Sequence, residues 1–222
     1  MVPTPTGGST PEGYDSVALG VLDSIYSTGH KYTGVTNALD KYRAARRSED
    51  AESGQDTASV LVAAVDRWGG IAALVERTNK WPTSSKAGVP KQAAAAFGTA
   101  KILTGHGLNT VAEVRAAFAT AEQQDASPVK RLWLGLPGQG SGLTWTYFLM
   151  LCGVPGVKAD RMVVRYVSRA VREAVDGKDA RRLVSSVARP HSLELTPDEL
   201  TSEITKGRLD GSISISDRRP GC

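Results

Sequence analysis

Two stretches of this chain have residue types and spacing that could do chemistry. The first is the turn Leu136-Pro137-Gly138-Gln139-Gly140-Ser141-Gly142, with a short apolar helical pattern on each side. Glycines spaced by one residue let a backbone turn tightly and approach a partner closely. The helix after such a turn presents free N–H groups and the positive end of its dipole, which suit an anion such as a DNA phosphate. By itself the P-G-x-G spacing is a weak signal, because short Gly-rich helix connections are common. The second stretch is basic. Lys158 to Arg182 holds eight basic and four acidic residues, so it carries the whole net charge of +4. A localised basic patch is the footprint of a phosphate-binding surface; a solvated helix face is the plainer reading.

Within that patch Arg161, Arg165, Arg169 and Arg172 recur at fours and threes. They form a stripe opposite Met162, Val163, Tyr166, Val167, Ala170 and Val171 on one amphipathic helix. Such a stripe could run along a DNA strand and make binding salt-dependent. Pairing of Arg169 with Glu173 on an exposed face would explain it equally well.

Length and composition bound the rest. The 222 residues suit one domain or two small helical lobes, and 41% hydrophobic against 23% charged residues excludes a disordered polyelectrolyte. The most apolar stretch, 143–157, is too short and too interrupted to span a membrane. The first residues lack the basic start and apolar core of a secretory signal. Cys152 and Cys222 lie in no metal-ligand spacing. His30, His106 and His191 are scattered, so neither a metal nor a cofactor is expected. Zinc fingers, iron–sulfur clusters, nucleotide-binding loops and serine-nucleophile elbows are excluded.

The elements that must position these residues read as helices. Residues 1–12 form a disordered arm. Helical spacing then runs through Tyr14–Thr28, Val35–Arg46, Thr57–Trp68, Ile71–Arg77 and Lys91–Leu103. Residues 46–56 lack large apolar side chains and are the best internal linker. Asn109 can cap a helix through Ala119. Ser127–Pro128 is an N-cap followed by proline at the first helical position, opening a helix to Leu134. Ser141–Leu151 follows the turn, Asp160 caps a helix to about Val175, and Asp179–Ala188 comes next. Thr196-Pro197-Asp198-Glu199 opens a last helix within a domain of 13–206, and 207–222 is a loose tail. The class is all-α.

The turn and the arginine helix together resemble the helix-hairpin-helix DNA glycosylase superfamily, which includes endonuclease III and the adenine and alkyladenine glycosylases. Leu136-Pro137-Gly138-Gln139-Gly140, then twenty residues to Asp160, then Arg165, follow that family's order across about 35 residues. Trp145, Tyr147 and Phe148 are similar to the alkyladenine branch. The resemblance implies an all-α, two-lobed fold without an iron–sulfur cluster, and double-stranded DNA as partner. It implies a DNA-binding set of Gly138, Gln139, Gly140, Ser141, Gly142, Lys158, Arg161, Arg165 and Arg169. Asp160 is the implied catalytic acid: a carboxylate beside the deoxyribose stabilises oxocarbenium-like charge and orients or deprotonates water. The target base must leave the duplex to bring its sugar there. An Asp at a helix start is also an ordinary N-cap, and the two roles are compatible.

Departures narrow the expectation. Gly142 stands where members that also nick the strand carry a lysine, so lyase chemistry is not expected. Gln139 replaces a small hydrophobic residue, Thr144 an alanine, and Arg161–Met162 the Thr-His of endonuclease III relatives. The expected activity is therefore base excision by a monofunctional hydrolase. The other reading is a catalytically inactive DNA-binding or interaction protein on the same scaffold. Lys158, two residues before Asp160, would contact phosphate or lower the acid's pKa. Trp81 is either a wedge entering the base stack or a half-buried core residue. Ser84, Ser85, Lys86 and Lys91 would add phosphate contacts or form an ordinary polar turn. A monomer in the cytoplasm, on the nucleoid if bacterial, is the expected setting.

Overall fold

The computed structural model describes residues 13–156, 159 and 161–188. The arm 1–12, Lys158, Asp160, the helix expected after Thr196 and the tail 207–222 lie outside the described residues. The chain is all-α: among the described residues there is no strand, only one isolated bridge between Pro82 and Lys91. It divides into two compact units between Val154 and Pro155.

The larger unit is organised around α1 (Val17–Tyr26), whose ten residues are all buried. A helix that is apolar all round must be wrapped on every side. Here α2 (Tyr32–Arg47), α3 (Ala58–Arg67), α5 (Gln92–Gly105) and α9 (Leu143–Leu151) surround it. Gly20 faces α9, where a Cβ would make ordinary contact with the Phe148 ring at 3.5 Å. The connecting helices are α4 (Ile71–Glu76), α6 (Val111–Ala117), α7 (Ala121–Ala126) and α8 (Pro128–Leu134).

The polar stretch 46–56, read above as a linker, lies inside this unit and ties its helices together. The buried Asp56 carboxylate accepts from Tyr42 Oη at 2.6 Å and from Arg46 Nε at 2.8 Å. Its backbone carbonyl accepts from Ser16 Oγ and from the Ala18 N–H at the start of α1. The bond to Asp56 holds the Arg46 guanidinium well above its usual range. Glu49 accepts from Arg67, Trp68 and Arg46, and these donors, Arg67 first, hold its carboxyl down at about 2. A short chain segment needs little apolar surface when its charges are paired this closely.

Two helix starts differ from expectation. α6 is capped by Thr110, not Asn109, with Glu113 completing a capping box. Asn109 instead serves α3, where its side chain accepts from the Ser59 N–H and its carbonyl from the Ala58 N–H. α7 has its own capping box, Thr120 with Gln123, in a stretch too polar to show a periodic apolar face.

In the smaller unit, α10 (Arg161–Val171) and α11 (Gly177–Ala188) pack through Val163 and Val167 against Ala180 and Val184. Met162 and Ala170 are exposed, so the apolar face is narrower than expected. α10 stops four residues short of the expected end at Arg172, which takes a left-handed φ of 57°.

Removing the Asp56 carboxylate leaves the buried Arg46 guanidinium with Glu49 as its remaining carboxylate and strands the Tyr42 hydroxyl, and Asp56→Ala is expected to cost about 3 kcal/mol in urea unfolding. The double variant Arg46→Met/Asp56→Leu should recover part of that loss. Glu49 adds a pH dependence. Its folded pKa lies below the ordinary value of about 4.3, so its stabilisation is present above that pH and is lost as pH falls toward 2. Acid titration of Glu49→Gln should lack this component.

Candidate nucleic-acid interface

The turn at 135–142 joins α8 to α9, and its seat is built from three contacts. Ser127 accepts from the Val129 and Lys130 N–H groups, and Pro128 supplies the first helical φ, so α8 begins sharply. Trp133 on α8 is fully buried against Phe148 and Trp145 of α9, with ring centroids 5.0 and 5.5 Å away. Leu136 then fits over α5 where Gly98 leaves room, since a Cβ at 98 would lie 2.9 Å from Leu136 Cδ2. Gly138, at φ +79°, lies against the backbone of Thr83, and a Cβ there would sit 2.9 Å from the Thr83 carbonyl oxygen.

Gln139 turns inward. Trp133 Nε1 donates to Thr144 Oγ1 at 3.0 Å, and that hydroxyl donates to Gln139 Oε1 at 2.6 Å. Gln139 Nε2 donates to the Pro137 carbonyl at 3.1 Å. Gln139 and Thr144 are thus partners in one buried chain that braces the turn across both helices. This removes the Gln139 side chain from the partner-facing set. Gly142 is also committed: it is buried, at φ +72°, and its N–H donates to the Gln139 carbonyl. Gly138, Gly140 and Ser141 remain exposed, and their N–H groups donate to no acceptor among the described residues. The Ser141 hydroxyl accepts from the Leu143 N–H at the first turn of α9.

The contact at Thr83 brings in a loop some fifty residues away in sequence. Thr83 N–H donates to the Pro90 carbonyl, and Gln92 N–H to the Trp81 carbonyl, closing residues 81–92 into a narrow-necked loop. Ser84, Ser85, Lys86 and Lys91 are all exposed on it. The spacing of residues along the chain holds no sign that this loop and the glycine turn are neighbours. Trp81 itself is half-buried against the core, edge-on to Tyr26 and stacked on His30. Its core role is what the packing shows. The His30 stack had no sequence signal, because the ring comes from a different loop.

On α10, Arg161, Arg165 and Arg169 are exposed, and none has a carboxylate within ion-pair distance among the described residues. Arg169 Nε donates to the Arg165 carbonyl at 3.4 Å rather than pairing with Glu173. Cys152 is buried and its thiol is pushed up to about 12 by burial. Among the described residues no group of three or more His, Cys, Asp or Glu is placed to hold a metal. No described helix is long and apolar enough to cross a membrane.

Fold and site together define an all-α chain with an exposed, amide-bearing glycine turn and a separate arginine-faced helix. The chain belongs to the family described as a domain of unknown function, DUF8548, which matches residues 5–206. It matches no curated protein and no solved structure.

The buried chain at the turn makes a contrast that can be measured. Gln139→Leu strands the Thr144 hydroxyl and the Pro137 carbonyl, and is expected to cost about 1–3 kcal/mol in urea unfolding. Gly140→Ala meets nothing closer than 3.9 Å and carries no left-handed φ, so it should stay near wild type.

Proposed function

We propose that this protein binds double-stranded DNA through the 135–142 turn, read as the hairpin of a helix-hairpin-helix, and excises a damaged or modified base. The observation that carries the reading is the set of exposed, unspent N–H groups at Gly138, Gly140 and Ser141. Amides converging at the start of a helix are a ready phosphate site. Lys86 and Lys91 are exposed on the loop whose Thr83 lies against Gly138, and add positive charge to the surface of that loop. The arginines of α10 supply a second basic face, with no ion pair among the described residues, for further backbone contacts.

Chemistry is assigned to Asp160 on the resemblance. Its carboxylate would stabilise positive charge on the deoxyribose and orient the water that cleaves the N-glycosidic bond. Gly142 at the lyase lysine's place keeps the reaction hydrolytic. In this reading the protein works without cofactor, as a monomer in the cytoplasm. A second reading, DNA binding without excision, draws on the Gln139–Thr144 chain, which rebuilds the hairpin interior and leaves the amides exposed whether or not Asp160 acts.

A panel of modified duplexes read for abasic sites separates the two. The full chain should release base from at least one duplex, and Asp160→Asn should abolish release while duplex affinity stays within a few-fold. Binding with no product on any duplex selects the second reading. Replacing Arg161, Arg165 and Arg169 by Ala should flatten the slope of log affinity against log salt by up to about 3. An unchanged slope would remove α10 from the interface.

A further inference from the structure

Trp81 sits at the neck of the 81–92 loop with its backbone held on both sides. Its N–H donates to Asn79 Oδ1 at 3.0 Å, and its carbonyl accepts from the Gln92 N–H at 2.8 Å. Gly34 makes room for the indole edge, since a Cβ there would lie 2.9 Å from Trp81 Cη2. One face of the indole carries the His30 ring at 3.7 Å between centroids and 10° between planes. His30 makes no hydrogen bond among the described residues, and its loop turns at Gly29, whose φ is +78°. The stack on Trp81 is the imidazole's one ring contact among the described residues.

The two amides beside Trp81 are incompletely paired. Gln92 is 3% exposed and Asn79 8% exposed. Gln92 Nε2 donates to the Thr28 carbonyl at 3.3 Å, but Gln92 Oε1 and Asn79 Nδ2 are buried without a partner. A buried donor and a buried acceptor left unmade are costly, so a native protein retains them for a reason. The loop Thr28–His30 thus supplies a flat heteroaromatic ring and one carbonyl, and leaves one donor and one acceptor unsatisfied. A nucleobase offers all of these at once: a stacking face, a carbonyl or ring nitrogen that accepts, and an N–H that donates.

We propose that Trp81, Asn79 and Gln92 form a site for an unpaired nucleobase, which the Thr28–His30 loop occupies in the free protein. The proposal rests on the DNA-binding reading and specifies its substrate as DNA with an unpaired base beside duplex. Thr83, two residues from Trp81, lies against Gly138, and two extended residues span at most about 7 Å. The backbone at Trp81 thus lies two residues from the contact with the turn. Binding would move His30 off the indole and the Thr28 carbonyl off Gln92, exposing the amide edge to the incoming base. Stacking on an aromatic side chain tolerates any base, and the two amides add a preference for bases with adjacent donor and acceptor.

The test compares a blunt duplex with the same duplex carrying a short deoxyadenosine overhang, by fluorescence anisotropy on the full chain. The overhang should tighten binding about 5-fold or more. Trp81→Leu should erase that difference and leave blunt-duplex affinity unchanged. His30→Ala should widen it, because the internal competitor is gone; a purely structural ring could only weaken binding when removed. Equal affinity for the two DNAs in the wild type, or weaker overhang binding in His30→Ala, overturns the proposal. If neither DNA binds, the DNA reading fails by itself, and titration with deoxyadenosine monophosphate decides the site. Tryptophan quenching that is present in wild type and lost in Trp81→Leu supports it, and its absence overturns it.

Discussion

The larger unit depends on Asp56. A central helix buried on every side has no surface of its own from which to be positioned, so its place must be set at its ends. Asp56 does this with both halves of the residue. Its carbonyl receives the Ser16 hydroxyl and the Ala18 N–H, fixing where α1 begins. Its carboxylate receives Tyr42 and Arg46, fixing α2 against the same point. A charge this deeply buried is tolerated only with such partners, and their geometry then specifies one arrangement of α1, α2 and the start of α3.

The same principle recurs at the glycine turn. A turn of this kind has little apolar surface, so its shape is not held by core packing alone. The chain from Trp133 through Thr144 and Gln139 to Pro137 holds it from within, while Leu136 over Gly98 and Gly138 against Thr83 hold it from outside. Bracing from the interior leaves the outer amides of Gly138, Gly140 and Ser141 free. Preorganised donors lose little freedom on meeting an acceptor. Polar residues at a turn between two helices are, in this protein, what stiffens it.

Around Trp81 the balance runs the other way. Tyr26 and Gly34 pack against the indole, His30 stacks on it without a hydrogen bond among the described residues, and one atom of each amide, Asn79 Nδ2 and Gln92 Oε1, stays unpaired. A stiff platform under a loosely held cover is the arrangement that exchanges one flat partner for another.

Much of the fold was legible along the chain. Apolar residues recurring at threes and fours marked most helices, and Ser127–Pro128 marked the start of α8, because helix periodicity and capping are local. The split of α10 into a buried valine seam and an exposed arginine stripe was legible for the same reason. What failed was non-local. Asn109 stands in sequence where it could cap the nearer helix, but its side chain and carbonyl go to α3, fifty residues back, and only its N–H reaches Glu113 on α6. The stretch 46–56 looked like a linker because its stability comes from charge pairing, which hydropathy does not register. Gln139 looked partner-facing until Thr144 and Trp133 were seen to enclose it. The neighbourhood of Thr83 with Gly138, and of His30 with Trp81, exists only once α1, α5 and α9 have packed. Sequence alone determined the helices and the kinds of residue at the site; tertiary packing decided which of them meet, because contacts between distant segments depend on how the core closes.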